Sequence, residues 1–210
     1  MKLQQFYEEV PRIRVQDPLA RLTGCAEDGL LEYGFADAVR LTGHACPTVA
    51  AAYWLTYLAL EHLHPDTLPQ RGQIMVELRD DVRSSSSGVM ATVVQMLTGA
   101  AGGSGFKGIG GRFARAGLIR FKPELLGAMR FTRLDTREAV DASVDMTHVP
   151  ADPRLQPLLE LCVAGRASVQ QEGEFAQLWQ QRVRRLLLDC ARDPAVFVLR
   201  PVKRAVALAA

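Results

Sequence analysis

The segment Pro47–Leu60, PTVAAAYWLTYLAL, carries no charged residue and is apolar on nearly every side. A helix that is apolar all round has no face to give to water, so it belongs at the centre of a core. It is also shorter than the ~20 residues a membrane span requires. The pattern predicts a helix opened by Pro47, running through Glu61 and His62 and stopped at Pro65, with the rest of the chain wrapped around it. The chain has the material to do so. It has 210 residues, of which 48% are hydrophobic and 23% charged. A domain of that size buries roughly 70% of its unfolded surface and needs neither disulfide nor metal to fold. Disordered, collagen-like and disulfide-stapled classes are excluded.

Lys plus Arg (25) nearly balances Asp plus Glu (23), for a net charge of +2. Charge is less even locally: seven basic and two acidic residues lie between Gln181 and Ala210. A basic terminal helix and tail is ordinarily a solvated face. Neither a basic recognition helix nor aromatic residues interleaved with basic ones are present, so nucleic-acid binding is not expected, and neither is membrane insertion. Cys25, Cys46, Cys162 and Cys190 form no CxxC pair, and the stretch MKLQQFYEEVPRIR lacks the apolar region of a signal peptide. The expected location is the cytoplasm, with free thiols.

Along the chain, Asp17-Pro18 reads as an N-cap and first helical position, opening a short helix through Leu22. Gly29–Phe35 is loop or short strand, and Asp37–Leu41 a helical turn closed by Gly43. Gln73–Arg79 alternates as a strand, with Ile74, Val76 and Leu78 on one face and Met75 and Glu77 on the other. Gly88–Leu97 fits a helix. Leu118–Phe121, Ala128–Leu134 and Ala139–Met146 alternate as strands. Asp152-Pro153 starts a helix to about Val163. Glu174–Cys190 is amphipathic, with Phe175, Leu178, Trp179, Val183, Leu186, Leu187 and Cys190 in one stripe that is core or dimer interface. Ala195–Leu199 is a last strand candidate. These elements predict an α+β fold: a mixed, mostly antiparallel sheet packed against the central apolar helix and a C-terminal amphipathic helix. Residues 1–195 form a single domain, and 196–210 a basic C-terminal strand and tail.

The chemistry concentrates in Gly43-His44-Ala45-Cys46-Pro47-Thr48. With Pro47 at the first helical position, Cys46 falls at the N-cap of the central helix, among unpaired N–H groups and a partial positive charge. That setting favours thiolate over thiol. His44 sits on the entering loop and can turn toward the same spot. A thiolate and an imidazole suit zinc or another borderline metal; they equally suit a Cys–His nucleophile pair. The bland alternative is a buried small residue beside a loop histidine bonded to backbone. Two donors do not complete a metal site. Candidates for a third are His62, His64, His148, Asp37, Asp80, Asp81 and Cys25, none at a fixed spacing. His62 and His64 lie more than ~20 Å from Cys46 along the helix and reach it only across a dimer.

Eight of the 17 glycines fall between Gly99 and Gly117. Gly103-Ser104-Gly105-Phe106-Lys107-Gly108 matches GxGxxG formally, but a helix-like segment precedes it and more glycine follows, which is not the dinucleotide setting. It reads as a backbone-rich loop that comes close to a ligand, a metal pocket or a second copy of the chain, or else as a plain connection. Arg83-Ser84-Ser85-Ser86-Ser87-Gly88 supplies a serine N-cap or, with Arg83, an anion site.

These residues carry a resemblance. GHACP, an apolar helix, a strand, and then VVQMLTG running into a glycine-rich loop with Lys107 resemble the family of proteins like the E subunit of formylmethanofuran dehydrogenase, over about 37–187. That family has GHxCPG, a later segment of the type DAIQxxTGCTxGKGN, and a final core helix to which Gly173–Leu187 is similar. The resemblance implies an α+β core, a homodimer, and a groove holding zinc or a similar divalent ion at the His and Cys of GHxCP. The E subunit itself is associated with molybdenum or tungsten enzymes of one-carbon metabolism. Gly43, His44, Cys46 and Pro47 match the first motif; Gln95, Thr98 and Gly99 match the second, and Lys107 is set against its lysine. Thr98, Gly99, Gly105 and Lys107 are thereby the candidate cofactor-binding residues. The chain departs at Thr42, Thr48, Thr92 and Ala100, where the family often has His, Gly, Asp and Cys. It also lacks a cysteine-rich zinc-finger segment after the core.

Three readings follow. The first is a metal- or metallocofactor-binding protein using His44 and Cys46. The second is a thiol-dependent enzyme with Cys46 as nucleophile, His44 as base, and Lys107 or the loop amides stabilising an anion. The third is a non-catalytic accessory subunit or small-molecule module, in which haem ligated by His or Cys belongs.

Overall fold

The computed structural model describes residues 3–80 and 86–202. Its elements in chain order are β1 (Ile13–Gln16), α1 (Pro18–Leu22), β2 (Leu30–Tyr33), α2 (Phe35–Thr42), α3 (Pro47–Leu63), β3 (Ile74–Leu78), α4 (Ser87–Thr98), β4 (Ile119–Phe121), β5 (Met129–Arg133), β6 (Ala139–Val144), α5 (Leu155–Val163), α6 (Val169–Arg184) and β7 (Phe197–Val202). The fold is α+β. A five-stranded sheet runs β4-β3-β5-β6-β7, parallel only between β3 and β4, beside a two-stranded antiparallel sheet of β1 and β2.

Helix α3 is central. Tyr53, Trp54, Leu55 and Ala59 along it are fully buried, and it packs on β6, α2 and α4. Even its polar groups are turned to use. Tyr53 Oη–H donates to the carbonyls of Pro11 (2.8 Å) and Tyr33 (3.0 Å), tying the small sheet to the helix. Trp54 Nε1–H donates to the Ala191 carbonyl at 2.6 Å, tying the C-terminal segment to it. Such bonds remove the desolvation cost that a buried aromatic N–H or O–H would otherwise impose.

Strand β3 departs from the expected alternation. Ile74, Val76 and Leu78 join the core as anticipated, but Met75 and Glu77 on the other face are buried too. The reason is cross-strand charge. Glu77 lies opposite Arg130, and Arg130 opposite Asp141. Lys122 Nζ reaches Glu77 at 2.7 Å, and Arg130 grips Asp141 with two bonds. The aliphatic stems of these long side chains cover the strand while their charges pair.

Several elements differ in extent, among them α2, which runs Phe35–Thr42, and β7, which runs Phe197–Val202. Helix α6 begins at Val169 rather than Glu174. Ser168 Oγ accepts the Gln171 N–H (3.3 Å) while Gln171 Oε1 accepts the Ser168 N–H (2.8 Å), a reciprocal cap. Past Arg184 the amphipathic stripe continues through a π-helical turn, Arg185–Asp189, that buries Leu186 and Leu187. Strand β1 has no counterpart in the sequence pattern. Only Ile13 and Val15 point inward, too short a pattern to separate from a loop. The last strand is hydrogen-bonded to β6 as an edge of the main sheet. The anion reading of Arg83, Ser84 and Ser85, and Asp81 as a ligand, lie outside the described residues. Among those described, no helix is long and apolar enough to cross a membrane.

Candidate functional site

The GHACP segment is the junction between α2 and α3. Helix α2 ends on Gly43 in the left-handed conformation (φ 75°), where a side chain would be strained, and the Gly43 N–H returns to the Val39 carbonyl at 2.9 Å. This reversal delivers His44 to an exposed position. His44 Nδ1 lies 3.0 Å from the Thr42 carbonyl. A carbonyl only accepts, so in the neutral ring it is Nδ1 that carries the proton and Nε2 that keeps its lone pair. This second contact on the opposite nitrogen is the arrangement that orients ligating histidines.

Cys46 is the N-cap of α3, with Pro47 following, as the sequence predicts. Its backbone is extended (φ −140°, ψ 168°), and its Sγ accepts the Val49 N–H at 3.4 Å. The sulfur thus takes the place of a serine or aspartate oxygen in satisfying an orphan donor. It is half-buried. Between the two, the Ala45 carbonyl accepts the Trp179 Nε1–H at 2.8 Å. Trp179 therefore pins the motif to α6, a positioning role that its place in an apolar stripe does not reveal. Among the described residues no hydrogen bond joins His44 to Cys46, and no group of three or more His, Cys, Asp or Glu is placed to hold a metal ion.

The other candidates are spread out. His62 and His64 sit at the far end of α3, about 25 Å from Cys46 at 1.5 Å per residue. His148 pairs with Asp145 (3.8 Å), Asp37 caps α2 by accepting the Gly34 N–H (2.8 Å), and Asp80 lies beside Arg79 (3.5 Å). Thr98 is buried, with its hydroxyl donating to the Val94 carbonyl (2.8 Å) and accepting the Ala100 N–H (3.1 Å). That hydroxyl closes α4. Lys107 is exposed.

Gly99 and Gly105 are different. Both line a cavity shared with Asp17, Arg71, Arg115 and Cys25. Gly99 is the left-handed cap of α4 (φ 72°), and a Cβ there would stand 1.9 Å from Arg115 Nη1. The glycine-rich segment is not a slack connection. Phe106 accepts the Arg115 and Ala116 N–H groups, and Gly102 accepts that of Gly117. Its glycines make room for an inward-folded arginine and for the loop's own backbone. It runs from α4 to β4, which rules out the strand–loop–helix of a dinucleotide site.

Asp17 is the hub of this second constellation. It caps α1 through the Leu19 and Ala20 N–H groups, and it binds Arg71 Nη1 (2.7 Å) and Arg115 Nη2 (2.8 Å). Burial opposes its ionisation. The Arg115 hydrogen bond, the Ala20 N–H and the two guanidinium charges outweigh that and hold its carboxyl below the usual range. No motif announces this group, because Asp17, Arg71 and Arg115 are far apart in the chain.

The family described as FmdE, molybdenum formylmethanofuran dehydrogenase operon, matches residues 41–192, well over half the chain and the whole of GHACP. This chain belongs to the FmdE family. Among solved structures it is similar to a tungsten formylmethanofuran dehydrogenase FmdE-like protein from Syntrophus aciditrophicus, at 16% identity over 81% of this chain and 73% of that one, with a TM-score of 0.42. A comparison with curated proteins gives no match. The FmdE match begins two residues before Gly43 and ends just past the π turn, so the small sheet and Asp17 lie ahead of it.

Proposed function

We propose that this FmdE-family protein binds a metal ion or metallocofactor at His44 and Cys46, at the entry of α3, in a role related to the E subunit of formylmethanofuran dehydrogenase. The observation that supports it is the N-cap sulfur of Cys46, held by the Val49 N–H, in the same short turn as an exposed His44 whose Nε2 lone pair is left available. Thiolate and imidazole together suit zinc. The described residues offer two donors where a closed structural site has four. An open zinc site takes three protein ligands and keeps one free position, so the third donor would come from a second copy of the chain. A bound zinc supplies Lewis acidity. The chain itself fixes the His44 tautomer through Thr42 and anchors the loop through Trp179.

The test is metal content of protein purified without a nickel column, for wild type, Cys46→Ala and Cys46→Ser. Serine is a good N-cap, so Cys46→Ser keeps α3 stable while removing the soft ligand. Wild type is expected to retain zinc and both variants to lose it, with Cys46→Ser unfolding at or above the wild-type temperature. Equal metal in all three overturns the reading.

A further inference from the structure

The cavity beside α1 joins buried charge to apolar walls. It encloses about 420 Å³. At its deep end lie Asp17, 3% exposed, and Arg115, 8% exposed. Leu19, Leu31 and Ala101 also line it, and Phe106 and Cys25 stand at its exposed side. Arginine is seldom buried without full pairing. Here two guanidinium groups share one carboxylate, and among the described residues neither has another ion-pair partner. By formal charge the described lining carries one net positive charge, with the Tyr33 ring, 5.4 Å from the Arg71 guanidinium, as a weaker further partner.

The unmet donors agree with that count. Among the described residues, the Nε atoms of both Arg71 and Arg115 are buried without an acceptor. Arg71 uses Nη1 on Asp17 and Nη2 on the Met96 carbonyl. Arg115 uses Nη2 alone, and its Nη1 lies against Gly99, where only glycine leaves space. The donor that remains for a ligand is Arg115 Nη1, beside Gly99 in the cavity lining; a guanidinium N–H beside an apolar chamber takes a carboxylate by a charge-assisted hydrogen bond and its hydrocarbon part by burial.

We propose that this cavity binds a small organic carboxylate, with the charged end toward Arg115 and Arg71 and the apolar part against Leu19, Leu31 and Phe106. The apolar walls favour an organic acid over inorganic phosphate. The assignment stands apart from the metal reading, since neither His44 nor Cys46 lines this cavity.

Benzoate and its neutral isostere benzamide test it on the full chain. The readouts are the amide resonances of Gly99 and Gly105 and the rate of Cys25 alkylation by iodoacetamide. Benzoate is expected to shift both resonances and slow Cys25 alkylation, with benzamide at least about tenfold weaker, as the loss of a charge-assisted bond requires. Arg115→Gln is expected to weaken benzoate by a similar factor. Should that variant not fold, Gln95→Glu serves, since Gln95 lines the cavity from an exposed position. The added charge is expected to weaken benzoate about tenfold through like-charge repulsion. Benzamide equal to benzoate, benzoate binding unchanged in Gln95→Glu, or no shift and no protection with either probe overturns the proposal.

Discussion

Asp17 shows how much one side chain can hold in place. Its carboxylate caps a five-residue helix that could not persist alone, and it is the counter-ion for two guanidinium groups brought from 54 and 98 residues away. Asp17→Asn leaves the buried Arg115 and the partly buried Arg71 without a counter-charge, and breaking such a cluster costs about 3–5 kcal/mol. The pH dependence has a definite sign. The folded carboxyl titrates below its unfolded value. Its contribution is therefore complete above about pH 4 and is lost as pH falls through the folded value. Urea unfolding is expected to show a large loss of stability for Asp17→Asn at neutral pH, and a smaller gap to wild type as the pH is lowered below about 4. A constant gap across that range would show that the charge is not what the arginines need. Nothing local in the sequence points to this group. Asp17-Pro18 is legible as a cap, but its partners are fixed only by folding.

At the level of elements, the GHACP junction depends on α6 as much as on α2 and α3. Trp179→Phe keeps the ring contact with Phe175 but deletes the Nε1–H, leaving the buried Ala45 carbonyl without that donor. The expected cost is about 1–2 kcal/mol. The loop should also loosen, so that Cys46 alkylates faster than in wild type while Cys25, in the cavity beside α1, does not change. Unchanged Cys46 reactivity would mean that α3 alone holds the sulfur in place. Elements are legible where one strong local signal decides them. Pro47 and an unbroken apolar run set α3, and Asp17-Pro18 sets α1. The start of α6 is hidden because the cap Ser168-x-x-Gln171 lies in a polar stretch ahead of the apolar stripe. Strand β1 is hidden because its two inward residues form no period. The site is half legible. The cap at Cys46 follows from proline chemistry, while the Trp179 anchor and the Gly99–Arg115 contact are tertiary facts with no sequence spacing.

For the whole molecule, α3 is an axle with different chemistry at its two ends. The entry end carries Cys46 and His44; the exit end carries His64, capped against Leu60 and set near Arg133. The Arg133 Nη1–H donates to the Leu63 carbonyl at 2.8 Å, fixing the β5 end of the sheet to the helix terminus. Burial, helped by the Arg133 charge and opposed by Asp135 and Glu138, lowers the His64 pKa, and its Nε2 is buried without a partner among the described residues. Nδ1 faces the Thr67 hydroxyl at 3.3 Å, so it is a second proton, on Nε2, that finds no acceptor among the described residues. The sign follows from linkage. Below the ordinary histidine value of about 6.5 the unfolded chain binds a proton that the folded chain resists, so stability falls as pH drops from there toward the lowered folded value. His64→Gln removes that proton uptake. Its unfolding free energy is expected to change less than that of wild type between about pH 7.5 and 5.5. Because the two ends are about 25 Å apart, the same variant is expected to keep its metal content, just as Cys46→Ser is expected to keep the wild-type pH slope. A His64→Gln protein with an unaltered pH slope would place the acid sensitivity elsewhere, and one that lost metal would show that the two ends of α3 meet in a single site.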